Sequence, residues 1–154
     1  MSKYEQKEQE GREMMLDLLH THYLIDFTTD LYDTVDFRMT PITHPDYIYV
    51  GDLKAYLNPL HPRYLTKYED YMIDYNKLRE IKKKALNEER IPLLIGLFED
   101  CLAVWNLNST EWEDNWEWRL VNKKGVDYGQ KEWELTAHLP TSSARIIPRT
   151  PFIS

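Results

Sequence analysis

Cysteine and glycine are both scarce in this chain, which has one cysteine, Cys101, and 5 glycines among its 154 residues. A single cysteine excludes an intramolecular disulfide and a zinc site built from several cysteines. The low glycine content excludes a collagen-like sequence, and the 13% of aromatic residues excludes a wholly disordered or coiled-coil chain. A glycine-rich phosphate-binding loop and a Gly-x-Ser-x-Gly nucleophile motif are missing as well.

Long apolar runs are also absent. The longest stretches, such as residues 93–97, are far shorter than the ~20 residues that a helix needs to cross a bilayer. The N-terminus is charged where a signal peptide would be apolar. A chain of this length nevertheless buries roughly two-thirds of its unfolded surface, which suffices for a core without disulfides or a structural metal. We therefore expect a soluble, cytoplasmic protein.

Positive charge is in the minority, with 19 Lys and Arg residues against 26 Asp and Glu residues and a net charge of −7. This balance argues against a protein that coats nucleic acid non-specifically. The middle of the chain differs, because residues 63–84 carry 7 positive and 4 negative charges between acidic flanking segments. The pattern fits an enzyme that grips phosphates locally, and it fits solvated helix faces equally well.

The hydrophobic pattern predicts two helices and a series of strands. Residues 4–22 and 65–90 have apolar residues at helical spacing, and Thr66 with Glu69 forms a capping-box pattern in the second helix. The continuous apolar run 93–98 predicts a strand buried on both faces. The predicted strands are 23–29, 31–40, 47–56, 93–98, 101–107, 115–121 and 131–139, followed by an irregular tail from about residue 140. This order predicts an α/β sandwich around a mixed sheet.

Charged residues stand out within the second and third β-like runs. Asp52 and Lys54 are two residues apart, so a strand directs them to one face and Leu53 to the other. If the two runs pair across the proline-containing turn 41–46, Asp36 lies near Asp52. Two carboxylates and an ammonium would then converge at one end of a sheet. Carboxylates suit Mg²⁺ and Mn²⁺, and a nearby lysine can assist the attack of water on a phosphodiester.

The tripeptide Asp52-Leu53-Lys54 is a weak signal by itself, because an acidic residue two positions before a lysine occurs three times in the chain. Glu5 and Glu80 begin the other two occurrences, both within predicted helices. Only Asp52 ends a β-run that follows another Asp-bearing β-run. The alternative interpretation is a solvated Asp36 on an edge strand and an ordinary Asp52–Lys54 ion pair, which would contribute under ~1 kcal/mol.

On these residues, the sequence resembles the PD-(D/E)XK nuclease superfamily, whose members include Holliday-junction resolvases and phage exonucleases. The resemblance lies in Asp36, in the segment 52–54 at the end of a β-run, and in the order of helices and strands. It implies a three-layer, restriction-endonuclease-like α/β core in residues 1–107, with a β-rich, tryptophan-rich extension in residues 108–154. The chain departs from the usual family pattern in having Val35 in place of proline and an aspartate in place of glutamate in the tripeptide.

The resemblance also implies roles for individual residues. Asp36 and Asp52 match the catalytic, metal-binding acids, and Lys54 matches the catalytic lysine. The implied activity is hydrolysis of phosphodiester bonds in DNA with Mg²⁺ or Mn²⁺ as the cofactor. The further metal ligands that the resemblance implies are the backbone carbonyl of Leu53 and a glutamate of the first helix, Glu13 or its competitor Glu10.

The basic segment 63–84 is predicted to lie along the nucleic acid backbone. The residues predicted to contact nucleic acid are Arg63, Lys77, Lys82 and Lys83. DNA is therefore the expected partner, and the sequence leaves a homodimer open. An interpretation from a different class is a non-catalytic interaction or assembly module, motivated by the overall acidity and the tryptophan-rich C-terminal third. The tryptophans are interpreted as core or interface residues, and the alternative is that they stack on the bases of single-stranded nucleic acid.

Overall fold

The computed structural model describes residues 3–28, 35–46, 48–55, 70–98, 101–122 and 130–148. Its helices are α1 (Lys3–Leu19) and α2 (Tyr75–Asn87). Its strands are β1 (Tyr23–Phe27), β2 (Phe37–Pro41), β3 (Tyr49–Ala55), β4 (Asp70–Asp74), β5 (Ile91–Leu97), β6 (Cys101–Asn106), β7 (Trp116–Asn122), β8 (Lys131–Pro140) and β9 (Arg145–Pro148). Neither of these two helices is long and apolar enough to cross a membrane.

Six strands form the main sheet in the order β1-β2-β3-β5-β6-β9. β1, β2 and β3 are a meander of antiparallel neighbours, as the sequence predicts. β3 and β5 pair in parallel, with α2 lying between them in the chain, whereas β5–β6 and β6–β9 are antiparallel. The sheet is therefore mixed, which confirms the predicted α/β class.

Apolar clusters fill the space on both sides of the main sheet. The cluster that includes α1 contains Met15, Leu19, Phe37, Met39, Leu93, Ile95, Leu97 and Leu102. The cluster that includes α2 contains Ile73, Leu78, Ile81, Leu94, Phe98, Cys101, Ala103, Trp105, Leu107, Trp112, Ala137 and Leu139. Side chains from one strand alternate between these clusters, as the pleat of a strand requires. Helices thus cover both faces of the sheet, which is the predicted three-layer arrangement.

Gly51 allows β3 to approach its neighbours closely. It pairs with Leu93 on β5 and with Phe37 on β2. A Cβ atom at Gly51 would lie 2.1 Å from the backbone oxygen of Leu93 and 2.9 Å from the ring of Phe37. No side chain fits in that space, so glycine at this position sets the spacing of the strands that carry the candidate site.

The second helix begins later than its apolar spacing predicts. Residues 70–74 form strand β4, and α2 starts at Tyr75, where Asp74 caps the helix by accepting a hydrogen bond from the backbone amide of Asn76 at 3.0 Å. β4 pairs with β8, so a strand distant in sequence stabilises the extended form of this segment. The predicted capping box at Thr66 and Glu69 lies outside the described residues.

The C-terminal part of the chain also differs from the expected irregular tail. Arg145–Pro148 forms β9, which pairs with β6 at the edge of the main sheet. Two consecutive isoleucines favour this strand, and Pro148 is tolerated because it ends an edge strand. β7 and β8 join β4 in a second, three-stranded sheet. Residues after 108 thus contribute to both sheets, and their separation from residues 1–107 as an extension stays a prediction.

Candidate active site

Asp36 and Asp52 meet where β2 and β3 pair. The register sets Phe37 opposite Gly51, and the backbone amide of Asp36 donates to the carbonyl of Gly51 at 2.8 Å. The backbone amide of Leu53 in turn donates to Oδ2 of Asp36 at 2.9 Å. This bond holds the Asp36 carboxylate directly beside the Asp52–Leu53 peptide. The meander therefore brings together the two acids that the sequence predicts as neighbours.

The carboxyl group of Asp52 is buried, with 6% of the residue exposed. Its Oδ2 lies 3.2 Å from the ammonium of Lys77, on the first turn of α2. Its Oδ1 is buried and has no hydrogen-bond partner among the residues that the structure describes. Burial raises the pKa of Asp52 to about 7, with a further increase from the negative charge of Asp36 and an opposing effect of Lys77.

The lysine in contact with Asp52 is Lys77 rather than Lys54. Lys54 is exposed near the end of β3, two residues beyond Asp52 and therefore on the same face of the strand. Leu53, between them, packs into the cluster around α1 on the other side of the sheet. Two lysines thus belong to the Asp52 side of β3, one paired with the carboxylate and one open to solvent.

The glutamates predicted from the first helix are on its solvent-exposed surface. Glu10 and Glu13 are both exposed, and Glu13 accepts a hydrogen bond of 3.4 Å from the side chain of Gln9. Across the described ranges, no three His, Cys, Asp or Glu side chains form a group able to hold a metal ion. Asp36 and Asp52 are therefore a pair here, and ligation by Glu13, by Glu10 or by the carbonyl of Leu53 stays a prediction.

The predicted nucleic-acid contacts have different surroundings. Lys82 forms an ion pair with Glu113, and its ammonium lies 5.9 Å from the centre of the Trp112 ring. This contact joins α2 to the segment before β7. Lys83 is exposed on the same helix, and Arg63 lies outside the described residues. Contact of these residues with nucleic acid stays a prediction.

One pair that the sequence interpretation missed lies on α1. Arg12 contacts Glu8 at 3.0 Å and donates to the carbonyl of Thr28 at 3.4 Å, while its guanidinium lies 5.3 Å from the ring centre of Phe27. The backbone amide of Thr28 donates to the carbonyl of Asp36 at 2.9 Å. This turn of α1 is therefore linked to the strand end that carries Asp36. The four-residue spacing of Glu8 and Arg12 was the available sequence signal.

The two acids fit a hard divalent cation. Mg²⁺ and Mn²⁺ prefer carboxylate oxygens, and an unpaired buried oxygen of Asp52 beside the Asp36 carboxylate supplies such a donor. A cation between the two groups would relieve the burial and repulsion that raise the pKa of Asp52. The donor set is small, so water or substrate oxygens would have to complete the coordination shell.

Similarity to other proteins lies in the fold. Among solved structures, the chain is similar to Hjc, a Holliday junction resolvase from the archaeal hyperthermophile Archaeoglobus fulgidus, with a TM-score of 0.50. The two proteins share a restriction-endonuclease-like fold. The similarity covers 86% of this chain and 88% of the resolvase chain at 7% sequence identity. No family model matches the sequence, and no curated protein matches it either.

The structural similarity confirms the predicted PD-(D/E)XK resemblance and the restriction-endonuclease-like fold class. At 7% identity it concerns the backbone arrangement and does not transfer individual residues. The site residues therefore depend on the geometry of this chain alone, in which Asp36, immediately before β2, lies beside Asp52 on β3.

Proposed function

We propose that this chain is a metal-dependent nuclease that hydrolyses phosphodiester bonds in DNA. The observation that carries the proposal is the proximity of Asp36 to a buried Asp52, whose Oδ1 has no hydrogen-bond partner among the described residues and whose pKa is raised to about 7. Such perturbed carboxyl pairs are typical of functional sites. The similarity in fold to a Holliday junction resolvase supports a nuclease, and the name of that protein supports DNA as the substrate.

Asp36 and Asp52 would hold Mg²⁺ or Mn²⁺. The bound cation would polarise the scissile phosphate and lower the pKa of the attacking water. Asp36 is fixed for this role by the hydrogen bond from the Leu53 amide, so its carboxylate needs little reorganisation. Asp52 must be ionised to bind a cation, and a pKa of about 7 makes its metal affinity rise with pH through neutrality.

The two lysines suit different tasks. Lys77 neutralises one of the two negative charges while the carboxylates are without a cation, since its ammonium contacts Asp52. Lys54 is exposed near the end of β3, and its ammonium would contact a bound phosphate or position the attacking water. We therefore assign the catalytic lysine to Lys54 and a charge-balancing role to Lys77.

The decisive experiment compares DNA cleavage by the wild type and by three variants in Mg²⁺ and in Mn²⁺. The substrates are linear, circular, single-stranded and branched DNA. We expect Asp52→Asn to abolish cleavage and metal binding, measured by calorimetry, and Lys54→Ala to abolish cleavage while metal binding is retained. Lys131→Ala, which removes an exposed cation on β8 outside the basic segment 63–84, is the control and should cleave as the wild type does.

Lys77→Ala distinguishes the two lysines. If Lys77 only balances charge, its loss should raise the pKa of Asp52 and shift metal binding to higher pH, with cleavage retained at alkaline pH. Loss of cleavage at every pH in Lys77→Ala, with full activity in Lys54→Ala, would reverse the assignment. A wild type that neither cleaves any substrate nor binds metal would refute the nuclease proposal.

A second candidate function is a nuclease-like assembly module without catalytic activity. The observation that favours it is the Lys77–Asp52 ion pair, which satisfies one oxygen of the candidate ligand without any metal. In this case Asp52→Asn would leave the function of the protein intact. The calorimetric titration separates the two candidates, because only a nuclease site of the proposed kind binds a divalent cation through Asp52.

A further inference from the structure

Large apolar side chains are exposed on one face of the β7–β8 hairpin. We call this surface the tryptophan face; it comprises Trp116, Trp118, Leu120 and Trp133. The three β7 residues are two positions apart and therefore share a face of the strand. Leu120 pairs with Trp133, which places the β8 tryptophan on that same face.

The tryptophan face continues an apolar surface that is buried elsewhere. Trp116 pairs with Ala137 on β8, and Ala137 pairs with Ile73 on β4. Ala137 and Ile73 belong to the core cluster around α2. One side of the second sheet thus packs on the core at β4 and extends beyond it at β7, which is the edge strand of that sheet. The exposed part has the apolar composition of a core, and none of the described segments covers it.

The exposed area is large for a surface without a partner. Trp116, Trp118 and Trp133 are 50%, 60% and 66% exposed, and Leu120 is 50% exposed. At roughly 250 Å² for a tryptophan side chain, the four residues expose about 500 Å² of mainly apolar surface. This value lies at the upper end of the largest apolar patch on a typical monomer, roughly 300–600 Å².

We infer that the tryptophan face binds the same face of a second copy of this chain. Stable interfaces bury about 800 Å² on each partner, and their centres are apolar and aromatic. The tryptophan face supplies most of that area, and a two-fold axis through it would match each copy's tryptophans with those of the other. The four residues would form the centre of the interface, with neighbouring polar residues as its rim.

The surrounding charge favours a protein partner over nucleic acid. Among the described residues of 111–122 and 130–134, six are acidic and two are basic. Glu117, Glu132 and Glu134 alternate with the tryptophans and therefore lie on the opposite side of the hairpin. Face-to-face pairing directs these carboxylates outward, whereas a nucleic acid on the tryptophan face would lie close to an acidic hairpin.

The test is the molar mass in solution of the full chain, measured by light scattering and sedimentation. We expect the wild type to have twice the 18.6 kDa mass of one chain, and Trp118→Glu and Trp133→Glu to weaken dimerisation at least ~100-fold. Leu24→Glu is the matched control, because Leu24 is 68% exposed on the edge strand β1 of the other sheet, and it should remain dimeric. Circular dichroism verifies that each variant is folded.

Tryptophan fluorescence provides an independent measurement. Dimerisation through this face should shift the emission to shorter wavelength as the protein concentration rises, and Trp118→Ala, which is milder than the glutamate variant, should reduce the shift. A monomeric wild type across the concentration range, or a dimer unaffected by both glutamate variants, would overturn the inference. So would a monomer whose tryptophan emission is quenched by a single-stranded oligonucleotide. None of these measurements depends on nuclease activity. Their outcome therefore tests the dimer interface independently of the proposed nuclease function.

Discussion

Replacing Asp52 by asparagine should stabilise the metal-free protein at neutral and alkaline pH. The wild-type carboxyl group is buried beside Asp36, and its pKa is raised from 3.8 to about 7. Asparagine has nearly the same shape but carries no charge. The variant therefore removes the burial of an ionised group without opening a cavity in the sheet.

The sign of the effect follows from proton linkage. Between pH 3.8 and about 7 the folded wild type retains a proton on Asp52 that the unfolded chain releases, so its stability falls as the pH rises through this window. A pKa difference of this size corresponds to at most about 4 kcal/mol above pH 7. The attraction of Lys77 for the ionised carboxylate is already included in the pKa of about 7, so it needs no separate correction.

We therefore expect Asp52→Asn to exceed the wild type in unfolding free energy by about 2–4 kcal/mol at about pH 8. The difference should shrink steadily towards acidic pH and vanish near pH 4. Urea unfolding in the presence of a chelator, repeated across this pH range, measures it. Asp17→Asn, at an exposed position on α1, is the control. Parallel stability curves for the wild type and Asp52→Asn would refute the reasoning, since they would mean that Asp52 is not destabilised by its surroundings.

Other substitutions test the framework around the site. Gly51→Ala should lower stability by more than ~2 kcal/mol in thermal unfolding, because the added Cβ would lie 2.1 Å from the Leu93 carbonyl. Glu88→Gln should lower stability by about 1 kcal/mol at neutral pH, because Glu88 accepts two hydrogen bonds from Arg38 that lower its pKa below 4.5. The stability difference between the wild type and Glu88→Gln should disappear as the pH falls below the folded-state pKa of Glu88. Unfolding measurements at a series of acidic pH values test this. Asp74→Ala should lower the free energy of unfolding by about 1 kcal/mol, measured by thermal unfolding at neutral pH, because Asp74 caps α2.

The part of the site that the sequence predicts depends on local rules. Strand alternation and a turn with two prolines are sufficient to place Asp36 near Asp52, because both acids belong to one antiparallel hairpin. The buried strand β5 is likewise visible as a continuous apolar run. These features depend on neighbours that are close in the sequence, so periodicity reveals them.

The features that the sequence did not predict depend on contacts between segments that are distant in the chain. β4 is extended because it pairs with β8, about 65 residues later, and no local pattern signals that partner. β9 joins β6 across a shorter separation of about 45 residues, which is still beyond the reach of a local pattern. The Lys77–Asp52 pair arises from the position at which α2 crosses the sheet, which follows from the later start of that helix. Spacing and the family resemblance therefore singled out Lys54, whereas the basic segment and the resemblance suggested a nucleic-acid contact for Lys77.

The environment of Asp52 distinguishes a functional acid from a structural ion pair. A purely structural role is better served by apolar residues, because a buried ion pair seldom recovers the free energy lost in desolvating its charges. Asp52 is buried, one of its oxygens has no hydrogen-bond partner in the described part of the chain, and its ionised form is further disfavoured by the Asp36 carboxylate. Both features lower stability at neutral pH, and both become favourable when a divalent cation binds. Added Mg²⁺ should therefore stabilise the wild type more at about pH 8 than at about pH 5, and should have no such effect on Asp52→Asn.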